Sequence, residues 1–313
     1  MLLLILAGPT AVGKSELALS LAQRIGGEIV SADSMQVYRL MDIGTAKPTP
    51  AERALVPHHL IDLVYPDEPF SAARYAEEFA KVAAEVAGRG RLPIVVGGTG
   101  LYIRAAVRPF LFPDAGARPE LRAGLARLAE EISPQALHLR LAEVDPEAAE
   151  RIHPNDLRRI IRALEVYEAT GRPISAWQRL FVQRRPYETV FVCLTRERGE
   201  LYRRIEARAE KMIAAGLVEE VKSLLAAGYG RELPPMQGLG YREICSYLHG
   251  ECTLAEAVEI MKKRTRHYAK RQLTWFRREP VELWLDLTLS PEEEARAQIL
   301  RLLAGRWERS SNS

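Results

Sequence analysis

The stretch Leu2–Ser15, LLLILAGPTAVGKS, decides the fold. Leu2–Ala7 is six apolar residues in a row with no polar alternation, the pattern of a parallel strand covered on both faces. Gly8–Ser15 then spells GxxxxGK[ST], and Glu16–Arg24 follows with Leu17 and Leu21 at helical spacing. Glycines at both ends let the segment Gly8, Pro9, Thr10, Ala11, Val12, Gly13, Lys14, Ser15 curl so that successive N–H groups face an anion. The helix behind it adds its positive N-terminal end. Lys14 can then reach terminal phosphate oxygens, and the Ser15 hydroxyl can ligate a magnesium ion, Mg2+. A phosphate-binding loop is therefore expected, and the loop alone leaves the phosphate open.

Working outward, Glu28–Ala32 reads as a second short strand and 71–87 as a helix capped by Ser71. Leu92–Val96 reads as a third strand, closed by Gly97-Gly98-Thr99-Gly100. Strand, helix, strand, helix in this order predicts right-handed βαβ units. From about Pro109–Pro119 to Pro186 the chain is helical, rich in Leu, Ala, Arg and Glu. Strand signals return at Thr189–Leu194 and Val281–Asp286. The expected fold class is α/β: a P-loop NTPase-like core with a parallel sheet, residues 1–112 and 187–313, plus an inserted all-helical domain, 113–186.

Composition bounds the remaining choices. The chain has 313 residues, 47% hydrophobic and 27% charged, which excludes disorder as its theme. Its net charge of +3 does not announce a nucleic-acid binder. Of 44 basic residues 36 are Arg, a bias that suits phosphate and base recognition and equally fits a GC-rich genome. Three cysteines without a CxxC point to a reducing, cytoplasmic setting, and six histidines form no zinc pattern. The run Leu2–Ala7 is too short for a signal peptide or a membrane span.

Four further segments carry chemistry. Asp33-Ser34-Met35-Gln36 follows the second strand, at the sheet edge where ligands gather in open α/β folds. It offers a carboxylate to take a proton and an amide suited to an adenine edge, or else a polar turn. Gly97–Gly100 permits close approach of a ligand or another segment, with Thr99 and Tyr102 beside it, or is a tight turn. Gln237-Gly238-Leu239-Gly240-Tyr241-Arg242-Glu243 opens a helix whose glycines could admit a phosphate. Between Met261 and Pro280 stand eight Lys/Arg and one acid, Glu279, with Tyr268, Trp275 and Phe276 interleaved. Cations with stacking surfaces are the footprint of RNA binding, and a solvated helix face is the ordinary alternative. A smaller basic cluster, Arg158, Arg159 and Arg162, lies in the insertion. An ordinary ATP- or GTP-using enzyme would need a second acid for magnesium, for which Asp62 and Asp286 are candidates. No arginine-bearing lid or NKxD guanine reader accompanies them.

Together GPTAVGKS, SADSMQVYR, DIGTAKP, HHLIDL, IVVGGTGLY, NDLRRIIRALE, QGLGYRE and TRHYAKRQLTWFRR resemble the tRNA dimethylallyltransferase (tRNA isopentenyltransferase) family, in order and spacing, over almost the whole chain. The resemblance implies transfer of a dimethylallyl group from dimethylallyl diphosphate to the N6 amine of the adenosine 3′-adjacent to the anticodon, releasing diphosphate. It implies Asp33 as catalytic base, assisted by Thr99 and Lys14. Gly8–Ser15 and Arg208 (Arg204 as alternative) would hold the diphosphate, with Mg2+ on Ser15. Asp33, Ser34, Met35, Gln36, Thr99, Arg158, Arg159, Arg162, Gly238, Tyr241, Arg242, Lys262, Lys263 and Arg266 would contact the tRNA anticodon stem-loop, Gln36 reading the base. Leu157-Arg158 departs from the Pro-Gln common in the family, so base contacts there are unassigned. The missing eukaryotic-type C-terminal zinc finger suggests the bacterial form, expected to be a cytoplasmic monomer without membrane association.

Overall fold

A computed structural model describes residues 1–108, 119–180 and 187–311. Strand β1 (Leu2–Ala7) is buried at every position, as its unbroken apolar run requires. Helix α1 (Lys14–Ile25) begins at Gly13, whose φ of 110° is open to glycine and costly for other residues. The chain continues through β2 (Glu28–Ser31), α2 (Pro50–Leu55), β3 (His58–His59) and α3 (Ala72–Gly88). Ser71 caps α3 by accepting the Arg74 N–H at 3.2 Å. β4 (Pro93–Gly97) and α4 (Gly100–Val107) complete the N-terminal part. Next come five helices: α5 (Pro119–Ile132), α6 (Pro134–Val144), α7 (Pro146–Arg151), α8 (Leu157–Thr170) and α9 (Ile174–Leu180). The C-terminal part holds β5 (Glu188–Thr195), α10 (Arg198–Ala214), α11 (Leu217–Ala226), α12 (Tyr241–Leu248), α13 (Leu254–Phe276), β6 (Leu283–Asp286) and α14 (Glu292–Ser311).

Among the described residues the six strands are all parallel, in the order β3-β2-β4-β1-β5-β6. The two-residue β3 had no signal in the sequence, since a pair of histidines shows no period. The order places β2, β4 and β1 side by side, so the loops leaving their carboxyl ends line one edge of the sheet. Those loops carry Asp33–Gln36, Gly97–Gly100 and Gly8–Ser15, which a linear reading can only place at strand ends.

The chain divides into two compact units, Met1–Val107 with Tyr187–Ser313, and Arg108–Pro186. Residues 109–118 and 181–186, where the sequence suggests the rhythm changes, lie outside the described residues. The sheet buries one apolar layer on each face, centred on Tyr75, Phe79 and Tyr241 on one side and Leu17, Leu21 and Ile299 on the other. The helical unit has its own core, with Leu137, Leu141, Ile160 and Leu164 buried. Among the described residues no helix is long and apolar enough to cross a membrane.

Candidate active site

The loop after β1 is strained as well as glycine-rich. Ala11 sits at φ 62°, a region most side chains avoid, and Gly8 at φ 150° has no room for a Cβ because the Leu194 carbonyl would lie 2.7 Å away. Lys14 and Ser15 form the first turn of α1, where N–H groups lack intrahelical acceptors. Lys14 Nζ donates to the Pro9 carbonyl at 2.7 Å, folding the side chain back over the loop. Burial, and then the Arg208 guanidinium, push the Lys14 ammonium down to about 8 against the opposing pull of Asp33. Burial likewise draws the Arg208 guanidinium below its ordinary value. Arg208 makes no hydrogen bond or ion pair within the described residues, which leaves its donors for a ligand. Arg204 is committed, with Nε donating to the Ala11 carbonyl at 2.8 Å.

Asp33 and Thr99 come together from neighbouring strands. Asp33 Oδ1 accepts the Met35 N–H at 2.8 Å, which closes the turn after β2. The Ser34 N–H donates to Thr99 Oγ1 at 3.1 Å. Two cavities meet here. The first, about 320 Å³, is lined by Thr10, Lys14, Ser15, Asp33, Arg208 and Tyr268 among others. The second, about 390 Å³, shares Thr10, Asp33, Arg208 and Tyr268 and adds Met35, Met212, Leu239, Arg242 and Met261. Burial and the Asp33 charge push the Tyr268 phenol up to about 12, so it stays a neutral hydroxyl beside Thr99 and Gln272. Arg242 Nε is buried with no hydrogen-bond partner, 3.7 Å from Glu243. A buried donor left unmatched at a cavity wall suits an acceptor on an incoming ligand.

Several expected contacts are otherwise engaged. Gln36 cannot read a base as it stands: its carbonyl accepts from Ser31 at 2.8 Å, and its amide donates to the Thr45 and Ala46 carbonyls at 3.3 and 3.2 Å. Tyr241, expected to face RNA, is fully buried against Gly44 and donates to Glu220 at 2.7 Å. The same Glu220 accepts the N–H groups of Asp42, Ile43 and Gly44. Gly238 gives space to the Met35 side chain. The Thr10 N–H is engaged, donating to Gln272 Oε1 at 2.9 Å, while the residue still lines both cavities.

The basic block is less lopsided in space than in sequence. Lys262 pairs with Glu210 and Glu259, Arg264 with Glu243, and Arg266 with Glu206. Lys263, Lys270, Arg271, Arg277 and Arg278 are exposed and carry no ion pair among the described residues. The interleaved aromatics face inward: Phe276 is core, Trp275 packs on Gly100 under the Arg104 guanidinium, and Tyr268 lines the cavities. In the helical unit Arg162 is held by the buried Glu165 and Arg159 lies 3.4 Å from Asp156. Arg158 is exposed, without an ion pair among the described residues.

Neither acid considered for magnesium fits that role. Asp62 is held by Lys47 at 2.6 Å and Arg53 at 2.8 Å, which keep its carboxyl below the usual range despite partial burial. Asp286 accepts the Thr288 N–H at the end of β6. No group of three His, Cys, Asp or Glu residues that could hold a metal occurs among the described residues. The exposed Ser15 hydroxyl suits magnesium carried chiefly by phosphate oxygens and water.

Sequence reasoning missed Gln272 as a site residue, because an amide inside a cationic run carries no signal of its own. Tyr268 was visible only as one aromatic among three.

The chain is similar to known proteins over nearly its whole length. The model of the IPP transferase family matches residues 36–279. The tRNA dimethylallyltransferase of Roseiflexus sp. (strain RS-1) is 54% identical over 299 residues, covering 96% of this chain and 97% of that protein. The one from Geobacillus thermodenitrificans (strain NG80-2) is 49% identical over 313 residues, covering 99% and 98%. Among solved structures, the full-length tRNA isopentenylpyrophosphate transferase of Bacillus halodurans superposes with a TM-score of 0.73 at 43% identity, covering 99% of this chain and 98% of that one. A eukaryotic dimethylallyltransferase acting on tRNA gives 0.83 at 29% identity, covering 97% and 80%. With the family pattern running from 36 to 279 and full-length relatives sharing about half its residues, this chain belongs to the IPP transferase family.

Proposed function

We propose that this protein is a tRNA dimethylallyltransferase, moving a dimethylallyl group from dimethylallyl diphosphate to N6 of the adenosine 3′-adjacent to the anticodon. The observation that carries the reading is the meeting of the two cavities at Thr10, Asp33, Arg208 and Tyr268. One contains the phosphate loop with Lys14 and Ser15, and the other has the thioether walls of Met35, Met212 and Met261 beside polar Ser34 and Arg242.

In this reading the donor's diphosphate lies on the loop under Lys14 and Arg208, and the adenine is extruded into the second cavity. The N6 lone pair attacks the allylic C1 as the C1–O bond breaks, and its electrons leave with the diphosphate. The amine is a weak nucleophile because its lone pair is delocalised into the ring, and Asp33 takes the N6 proton that the nitrogen must lose as its new bond to carbon forms. Charge building on the leaving oxygens is offset by Lys14, Arg208 and the N–H groups at the start of α1. The apolar walls keep water from the electron-poor carbon. Magnesium held at Ser15 would supply further positive charge to the departing diphosphate. Thr99 holds the Ser34 backbone and so keeps Asp33 aimed. The helical unit, with Arg158, would meet the anticodon arm.

Unmodified tRNA incubated with labelled dimethylallyl diphosphate is expected to acquire label at one adenosine. A parallel reaction with labelled ATP tests the kinase alternative. RNA labelled from ATP and not from the prenyl donor would overturn the proposal.

A further inference from the structure

Gln272 lies on α13 among cations, yet it is 6% exposed. Its carboxamide spans two of the loops at the sheet edge. Oε1 accepts the Thr10 N–H at 2.9 Å, and Nε2 donates to the Gly98 carbonyl at 2.9 Å. The fit is close enough that a Cβ on Gly98 would overlap the Gln272 amide. An amide suits both bonds because it donates and accepts at once. A carboxylate would meet the Gly98 carbonyl oxygen with no proton, and an aliphatic chain would leave both backbone groups unsatisfied.

We propose that Gln272 is a positioning residue for the diphosphate subsite, fixing the phosphate loop through Thr10. Thr10 stands between Gly8 at φ 150° and Ala11 at φ 62°, the latter a conformation that most side chains avoid. Lys14, Arg204 and Arg196 hold the carbonyls of Pro9, Ala11 and Val12, whereas of the loop's N–H groups Val12 reaches the Pro9 carbonyl only at 3.4 Å, so the Gln272 bond at 2.9 Å is the closer hold on a loop N–H. Holding Thr10 sets the direction of the free N–H groups at the start of α1. One turn earlier on α13, Tyr268 lines both cavities, so a single helix braces the donor loop and the wall beside Asp33. The assignment rests on the prenyl-transfer reading for its substrate, but the anion subsite itself is testable without it.

The test measures inorganic diphosphate binding by calorimetry, and the KM for dimethylallyl diphosphate against kcat, in Gln272→Met and Gln272→Glu. Gly98→Ala is the second route, since it displaces the amide while leaving Gln272 in place. Thermal unfolding and tRNA affinity are followed in each. The expected result is a loss of diphosphate affinity and a rise in donor KM of about tenfold, the reach of one hydrogen-bonded anchor. Affinity for tRNA should stay within about twofold, because the outer cations of α13 are untouched. Folded variants that bind diphosphate as the parent does would overturn the proposal, as would an equal weakening of diphosphate and tRNA. If the parent protein binds diphosphate but moves no prenyl group, the functional reading fails while the role of Gln272 is still decided by the calorimetry.

Discussion

Thr99 Oγ1 accepts the Ser34 N–H at 3.1 Å and donates to the Ser34 hydroxyl at 3.3 Å, joining residues 65 positions apart. This pair of bonds fastens the loop after β4 to the loop after β2 and fixes the neighbour on which Asp33 depends. The parallel pairing of β2 with β4 makes it possible.

Asp33→Asn keeps an oxygen to accept the Met35 N–H, so the turn should survive while the proton acceptor is removed. Transfer is expected to slow by about 10²–10⁴-fold with tRNA binding retained. Single-turnover rates at saturating donor and tRNA measure this. A rate close to the parent's would remove Asp33 from the role.

Lys14 is held down to about 8 by burial and Arg208, against an ordinary 10.5. Diphosphate should restore the charged form, so binding near pH 8 is expected to take up a proton and to weaken as pH rises further. Linkage runs the other way for the free protein: the unfolded chain holds more protons between the two values, so folding gains stability with rising pH there. Calorimetry in two buffers of different ionisation heat reads the uptake, and Lys14→Met should abolish it. Binding without proton uptake in the parent would refute the assignment.

Tyr241→Phe should cost about 1.5–3 kcal/mol of stability, the worth of a hydrogen bond to a charged acceptor. The acceptor is Glu220, which also anchors Asp42, Ile43 and Gly44. Chemical denaturation of parent and variant measures the difference. The salt dependence of tRNA binding should not change, since the hydroxyl is buried. A flatter salt dependence would return Tyr241 to the RNA surface.

Removing Lys262 and Arg266 should barely alter the salt dependence of tRNA binding, because Glu210, Glu259 and Glu206 already neutralise them. Removing Lys263, Lys270 and Arg271 should flatten the slope by about 0.7–0.9 for each phosphate left without its cation. Equal effects from the two sets would mean that the acids release their partners when RNA binds.

How much was legible follows from the kind of signal each feature leaves. The phosphate loop and its strand are local: six buried apolar residues and a glycine-framed turn must behave as they do almost wherever they are placed. The helix capped by Ser71 is local in the same way. Gln36 and Tyr241 have chemistry that permits a base contact, and only packing shows that their polar atoms are engaged by Ser31, Thr45, Ala46 and Glu220. The α13 block is cationic along the chain, but two of its four compensating acids among the described residues, Glu206 and Glu210, come from α10, over 50 residues away.

The sequence by itself determined the strand, the curled loop and the following helix that make a phosphate site, since backbone sterics and apolar periodicity act within a few residues. Tertiary structure alone decided that Asp33, Thr99 and the loop would share one edge. It also decided that Gln272 would tie Thr10 to Gly98, and which cations would remain free. Those outcomes depend on strand order and on partners far apart in the chain, and a hydrogen bond or ion pair is formed by whatever the fold brings within about 3 Å.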